Sequence, residues 1–280
     1  MKRLLFLVIS SGVFLTDWFA RLMRRSMGKR IPATAVVLCY HSIPKEKRLA
    51  FAKQMDELIR RSRPMPADMR SSLLAGARYA AVTFDDGYQD NIDNALPELA
   101  QRKIPATFFV VTEALGSTPN WPSRSADQAR LEPIMTAEQI EKLPSDLVQI
   151  GSHTRTHRNL TQLSEQEARR ELSESRRQLS EITHSDVKLF CFPYGAFDDN
   201  LLTWCREVGY ERVFTTLPHM ALSGNDDFAV GRVMSDPDDW RLEFRLKLFG
   251  AYRWLPFAFS FKRRVLSTIR PVIASGEHPH

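Results

Sequence analysis

Short apolar runs recur along this chain with helix-length polar segments between them, and that alternation limits its possible folds more than any other feature. The runs are AVVLCY at 35–40, YAAVTF at 79–84, ATFFVV at 106–111, LVQI at 147–150, KLFCF at 188–192 and ERVFTT at 211–216. Rich in β-branched and aromatic residues, they read as strands with helices between them. Repeated βα units build a parallel sheet or a barrel, and a single pattern along the chain argues for one α/β domain. The clearest helix opens at Ser164, where SEQE is a capping box and Ala168, Leu172, Leu179 and Ile182 form the apolar stripe. The segment 116–133 has three prolines and no period, so it reads as a long loop able to rim a site.

With 280 residues and 43% hydrophobic content the chain can bury a sizeable core. Its formal charge of +6 comes largely from RLMRRSMGKR near one end and FKRRVLSTIR near the other, where basic residues sit beside apolar ones. That mixture suits an anionic membrane surface. No zinc-finger spacing, RNP-like aromatic motif or long basic tract supports a nucleic-acid partner. Cys39, Cys191 and Cys205 are odd in number and two lie in strand-like runs, so they read as buried free thiols, which fits a reducing compartment.

Residues 1–30 form a segment of their own. After a basic start, about a dozen mostly apolar residues follow, which is short for a spanning helix and near signal-peptide length. Small residues at a cleavage position are poorly placed, and a spanning helix buries Asp17. An interfacial amphipathic helix sets Leu15, Trp18, Phe19 and Leu22 opposite Asp17, Arg21 and Arg24, and is the reading adopted. It gives a membrane-associated protein, with the cytoplasmic face favoured over export. The aromatic and basic segment after Trp240 is either a helix that closes the domain or a second membrane-contacting face.

Two acids end the second apolar run, in TFDDG at 83–87. Capping or a turn explains one of them. Two histidines four residues apart, His153 and His157 in SHTRTH, follow another strand end. One turn of helix or a tight loop aims both imidazoles at one point, and a carboxylate from another strand completes an Asp-His-His metal site with an open position for water. Hydrolysis also needs a base, so adjacent aspartates divide the work if the turn at Gly87 splays them: Asp86 for the metal and Asp85 for the proton. In FPYG at 192–195 the amide of Tyr194 can face a developing oxyanion, although the stretch alone reads as a strand-to-helix turn capped by Asp198 or Asp199. His41, in LCYHSIP, ends the first strand and is the candidate general acid. His184 suits a helix C-cap; His219, His278 and His280 lie in loop or tail.

TFDDG, SHTRTH and FPYG, in that order and at those intervals, resemble the polysaccharide deacetylases of the NodB-homology group, carbohydrate esterase family 4, over residues 34 to 235. The resemblance implies a distorted (β/α)7 barrel and a divalent metal, usually zinc, with Asp85 as base, Asp86, His153 and His157 as metal ligands, and Tyr194 as oxyanion-hole donor. Cys191 and Phe192 stand where the family has an arginine before PYG, so the group that orients Asp85 is unassigned. LCYHSIP resembles the early YH motif of an exopolysaccharide-acting branch, which favours His41 over His219 as the acid. SDPDDW at 235–240 reads better as an N-cap before the final helix than as the family's late Asp-Trp motif.

The expected architecture is therefore an N-terminal amphipathic or membrane-associating segment (1–30), a deacetylase domain (31–250) and a basic, aromatic C-terminal helical extension (251–280). The expected reaction is metal-dependent removal of the N-acetyl group from an amino sugar of a bacterial surface polysaccharide or its lipid-linked precursor. A non-catalytic carbohydrate-binding barrel, or hydrolysis of another sugar amide such as a formamido group, are the alternatives.

Overall fold

The computed structural model describes residues 2–69, 73–121, 132–218, 221 and 228–258. His219, the tail histidines and the C-terminal extension beyond residue 258 lie outside them.

Parallel strands wrap into a nearly closed barrel. In chain order they are β1 (Thr34–Tyr40), β2 (Arg63–Pro64), β3 (Arg78–Phe84), β4 (Ala106–Val110), β5 (Val148–Ser152), β6 (Leu189–Cys191), β7 (Arg212–Thr215), β8 (Ala229–Gly231) and β9 (Val233–Met234). Around the wall they run β8-β7-β6-β5-β4-β3-β1-β9, with β2 added beside β3. Each of the six expected runs forms a strand. The seventh position is one extended segment split at Arg232: its first half pairs with β7 and its second with β1, which brings the ends of the sheet together.

Strand alternation sorts the side chains into two layers. Ala35, Val37, Tyr79, Ala81, Phe109, Leu189, Phe214 and Val230 belong to the cluster inside the barrel. Val36, Leu38, Tyr40, Val82, Phe84, Phe108 and Phe190 face the helices instead. The helices are α1 (Lys2–Ser26), α2 (Arg48–Arg61), α3 (Leu96–Arg102), α4 (Ala137–Glu141), α5 (Glu165–Thr183), α6 (Asp199–Val208) and α7 (Arg241–Leu248). Ser164 makes the expected capping box with Glu167, His184 ends α5 in the left-handed region, and Asp198 caps α6 through the Leu201 amide. All three cysteines are buried free thiols.

The end of the chain departs from the expectation in one respect. SDPDDW does not cap α7 through a side chain: Trp240 is the N-cap residue, while Asp239 accepts from the Asp236 amide and from Lys247 at 2.6 Å. The acids are consumed in closing the turn and pairing a buried lysine, so none is left to cap the helix. α7 packs on α1 and α2, which answers to the domain-closing reading of this segment.

α1 is longer than its apolar dozen suggests. It runs 25 residues, and by length and composition it is apolar enough to cross a membrane. One side of it is docked. Leu7 packs with Val233, Leu246 and Tyr252, Phe14 stacks on Phe249, and Asp17 receives a bidentate pair from Arg253 at 2.6 and 2.7 Å. The opposite side exposes Leu4, Leu5, Val8, Leu15, Trp18, Phe19 and Leu22.

Candidate active site

The inward register of the strands converges on one point at their C-terminal end. Cys39, Thr83, Asp85, Cys191 and Arg232 continue the inward-facing positions, and each is buried. Arg232 grips Asp85 with both arms of its guanidinium, Nη1 to Oδ1 at 2.6 Å and Nη2 to Oδ2 at 2.7 Å, and also donates to Thr83. This side chain supplies what the missing family arginine left unassigned. It comes from a different strand, 147 residues from Asp85. Burial alone raises a carboxyl, but the guanidinium overcomes it and holds Asp85 well below the usual carboxylate range.

The two oxygens of Asp85 are not equivalent. Oδ2 receives Arg232 and faces the thiols of Cys39 at 3.3 Å and Cys191 at 3.6 Å. Burial pushes both thiols up, so they stay protonated and donate. Oδ1 carries the single Arg232 bond, which leaves it the oxygen with capacity to accept another proton.

Asp86 turns away from its neighbour because the chain leaves β3 in the left-handed region, with φ 69° at Asp86 and 81° at Gly87. A Cβ on Gly87 meets both methyls of Val110 at 3.1 Å, so a side chain here is crowded as well as conformationally strained. Thr154, His157 and Tyr194 also have positive φ, so four of the six non-glycine residues of this kind among the described residues surround the site. Such strain persists where the surroundings over-determine it.

His153 follows β5, and its amide bonds to the Val110 carbonyl. Its Nδ1 lies 2.8 Å from the Cys191 carbonyl, which can only accept, so Nδ1 bears the hydrogen and Nε2 is left as a ligand. Burial lowers its pKa to about 4, which keeps the ring neutral at ordinary pH. The HxxxH segment is a tight loop rather than a helical turn. Glu171 of α5 holds it, accepting from the amides of Arg155 and Thr156 at 2.9 and 2.8 Å and from the Thr156 hydroxyl at 2.6 Å. The His157 amide bonds to the Thr154 hydroxyl.

These turns bring Asp86, His153 and His157 together. One ligand atom from each lies within 4.8 Å of the others, and all three residues are buried. The Nε2 atoms of His153 and His157 stand 3.5 and 3.2 Å from Asp86 Oδ1, which has no hydrogen-bond partner among the described residues. A partnerless buried carboxylate oxygen facing two imidazole nitrogens is the donor set that a divalent cation satisfies. Despite its burial, Asp86 is held below the usual carboxylate range by the histidines around it.

Tyr194 stands at φ 58° with its ring edge-on to His157 at 4.8 Å. Gly195 fixes the turn, since a Cβ there collides with Thr216. Trp121, from the loop expected to rim a site, stacks on His157 at 4.5 Å. His41 lines the same cleft as Asp85, Asp86, His153, His157 and Tyr194. Arg232, Glu171 and Trp121 are the groups that the sequence reading passed over. A lone arginine in the apolar stretch AVGRVM was the available signal for the first of them.

A carboxylate fixed by arginine beside an Asp-His-His cluster, at the C-terminal mouth of a parallel barrel, defines a hydrolase centre. The family described as polysaccharide deacetylase matches residues 75–213, which span TFDDG, SHTRTH and FPYG. The chain belongs to that family. It is 26% identical over 217 residues to YxkH of Bacillus subtilis (strain 168), covering 74% of this chain and 73% of that protein. With the poly-beta-1,6-N-acetyl-D-glucosamine N-deacetylase of Staphylococcus aureus (strain MRSA252) it shares 24% over 165 residues, covering 56% of this chain and about half (54%) of that enzyme. Among solved structures, IcaB from Ammonifex degensii superposes with a TM-score of 0.65 at 25% identity over 79% of this chain and 99% of that one. The Streptococcus pyogenes deacetylase PplD shares the fold, with a TM-score of 0.61 at 19% identity over 78% and 98%.

Proposed function

We propose that this enzyme is a metal-dependent N-deacetylase of an N-acetylated amino sugar, in a bacterial surface polysaccharide or its lipid-linked precursor, working at a membrane surface. The observation that carries this reading is the partnerless Asp86 Oδ1 between His153 and His157, one residue from a carboxylate that Arg232 keeps ionised. Asp86, His153 and His157 are the residues to hold a divalent cation, with zinc the expected occupant. That cation supplies Lewis-acid polarisation of the acetamido carbonyl and of water.

The chain's own groups divide the remaining work. Asp85 Oδ1 takes the proton from the attacking water, while Arg232 and the two thiols hold Oδ2 and so fix the direction of the free lone pair. The Tyr194 main-chain N–H donates to the oxygen that becomes anionic as the carbonyl carbon turns tetrahedral. His41 gives a proton to the amine nitrogen as the C–N bond breaks, releasing acetate and a free amino sugar. Trp121 and Tyr194 both pack on the His157 ring, offering an aromatic wall against which a sugar ring can lie.

The test is acetate release from N-acetylglucosamine oligomers by wild type and Asp85→Asn. The reading expects release by the first and its loss in the second with bound metal retained. Full activity in the variant removes Asp85 from the mechanism.

A further inference from the structure

The cavity that holds the candidate catalytic groups does not end at them. One cleft of about 550 Å³ runs from Asp85, Asp86 and His157 to Phe6, Tyr252 and Leu255, so α1 and the segment after α7 form part of its wall. This far arm is apolar, with Val233 beside the other three. Its charged groups are already engaged: Glu243 with Arg3 at 2.6 Å and Lys247 with Asp239 at 2.6 Å. With Glu243 and Lys247 paired, the Tyr252 hydroxyl is a polar atom left there without a partner among the described residues, too little hydrogen-bonding capacity to hold a second sugar unit.

We infer that the cleft is built for an amphiphile, with the sugar at the Asp85 end and a long aliphatic chain in the arm between Phe6 and Leu255. Of the two substrate classes left open above, this selects the lipid-linked saccharide. The inference rests on the deacetylase reading for the chemistry at the sugar end.

Continuity and charge identify the occupant. Leu5 and Phe6 are neighbours in α1, yet Phe6 lines the cleft while Leu5 is exposed on the outer face with Leu4, Val8, Leu15 and Phe19. Between Leu4 and Met23 the only charged residues are Asp17 and Arg21, and both turn to the barrel, on Arg253 and Thr34. Lys2 at one end of the helix and Arg24 and Arg25 at the other are exposed. An apolar helical face bracketed by cations suits an anionic bilayer surface. Arg3 donates to Glu243 and to the Asp238 carbonyl, and Trp254 to the Ser10 hydroxyl, so α1 keeps this face outward while docked. The lipid-facing surface and the apolar arm then lie on two sides of one helix.

The experiment is calorimetric binding of methyl, hexyl and octyl N-acetyl-β-glucosaminides, each below its micelle concentration, to the zinc-loaded full chain. Each buried methylene tightens binding about three- to fourfold, so the octyl compound is expected to bind at least about tenfold more tightly than the methyl one. Leu255→Asp, and independently Phe6→Ser on the other element, are expected to abolish that gain. A flat series in wild type, as an arm filled by another part of the chain gives, overturns the inference, and so does a gain that survives both substitutions. Acetate release from the methyl compound, measured beside it, reports on the reaction alone. Chain-length-dependent binding without release keeps the arm and defeats the deacetylase, and release with a flat series does the reverse.

Discussion

Arg232 holds both carboxylate oxygens of Asp85 from the point at which the seventh barrel strand changes partners. One side chain, fully buried, thus sits at the closure of the barrel and keeps Asp85 ionised. Removing one partner of such a pair is more costly than never having had it, because a buried charge is left alone.

Arg232→Met is therefore expected to lower stability by about 3–5 kcal/mol, read as a drop in the urea midpoint. It also releases the Asp85 carboxyl to rise, so the acid limb of the rate profile moves to higher pH. Arg232→Lys, which keeps the charge but loses the fork, falls between. An unchanged midpoint and profile in Arg232→Met contradict the role given to the pair.

Acid stability follows from His153. Burial sets its pKa at about 4 in the folded chain against 6.5 unfolded. Between those values the unfolded chain binds more protons, so the contribution is fully present above pH 6.5 and is lost as pH falls towards 4. It amounts to something on the order of 3 kcal/mol. Urea midpoints of chelated protein at pH 7 and pH 4.5 test it, with His153→Gln showing a smaller fall; equal falls in the two proteins count against the assignment.

Metal binding and turnover are expected to separate by residue. His157→Ala loses zinc and activity together, whereas Asp85→Asn keeps zinc in elemental analysis and loses about 10²–10⁴-fold in kcat. If His157→Ala retains stoichiometric zinc, the Asp-His-His set is not the metal site.

Glu171 reaches the site only through the 154–157 turn. Glu171→Ala frees the amides of Arg155 and Thr156, and zinc affinity is expected to weaken about 10–100-fold, as it does for supporting groups around metal ligands. The mutant is expected to regain most of its kcat at saturating zinc. A fall in kcat that zinc does not repair gives Glu171 another role.

His41→Ala is expected to reduce kcat about 100-fold or more with zinc retained, through loss of proton delivery to the amine. Partial rescue by imidazole in the assay buffer distinguishes proton delivery from a structural defect. An unaltered rate removes His41 from the reaction.

What the sequence disclosed and what it hid divide by distance along the chain. Six strands were legible because each is a compact apolar run, and Asp85 with Asp86 and His153 with His157 each sit in one local motif. The seventh strand was not, because its halves are three and two residues long and pair with opposite edges of the sheet. Arg232 was hidden with it, since only barrel closure brings it to Asp85. SDPDDW misled because acids near a helix start resemble caps, and only the fold shows Lys247 claiming Asp239. For α1 the amphipathic division was readable, but the partners of its polar side, Arg253 and Glu243, lie more than 230 residues away.

Acetate release from N-acetylglucosamine oligomers, measured after chelation and after return of zinc, decides whether the enzyme is a metal-dependent deacetylase. Release by the purified enzyme, arrest on chelation and recovery with zinc are expected of a metal-dependent deacetylase. Release that continues at full rate in metal-stripped protein contradicts that assignment.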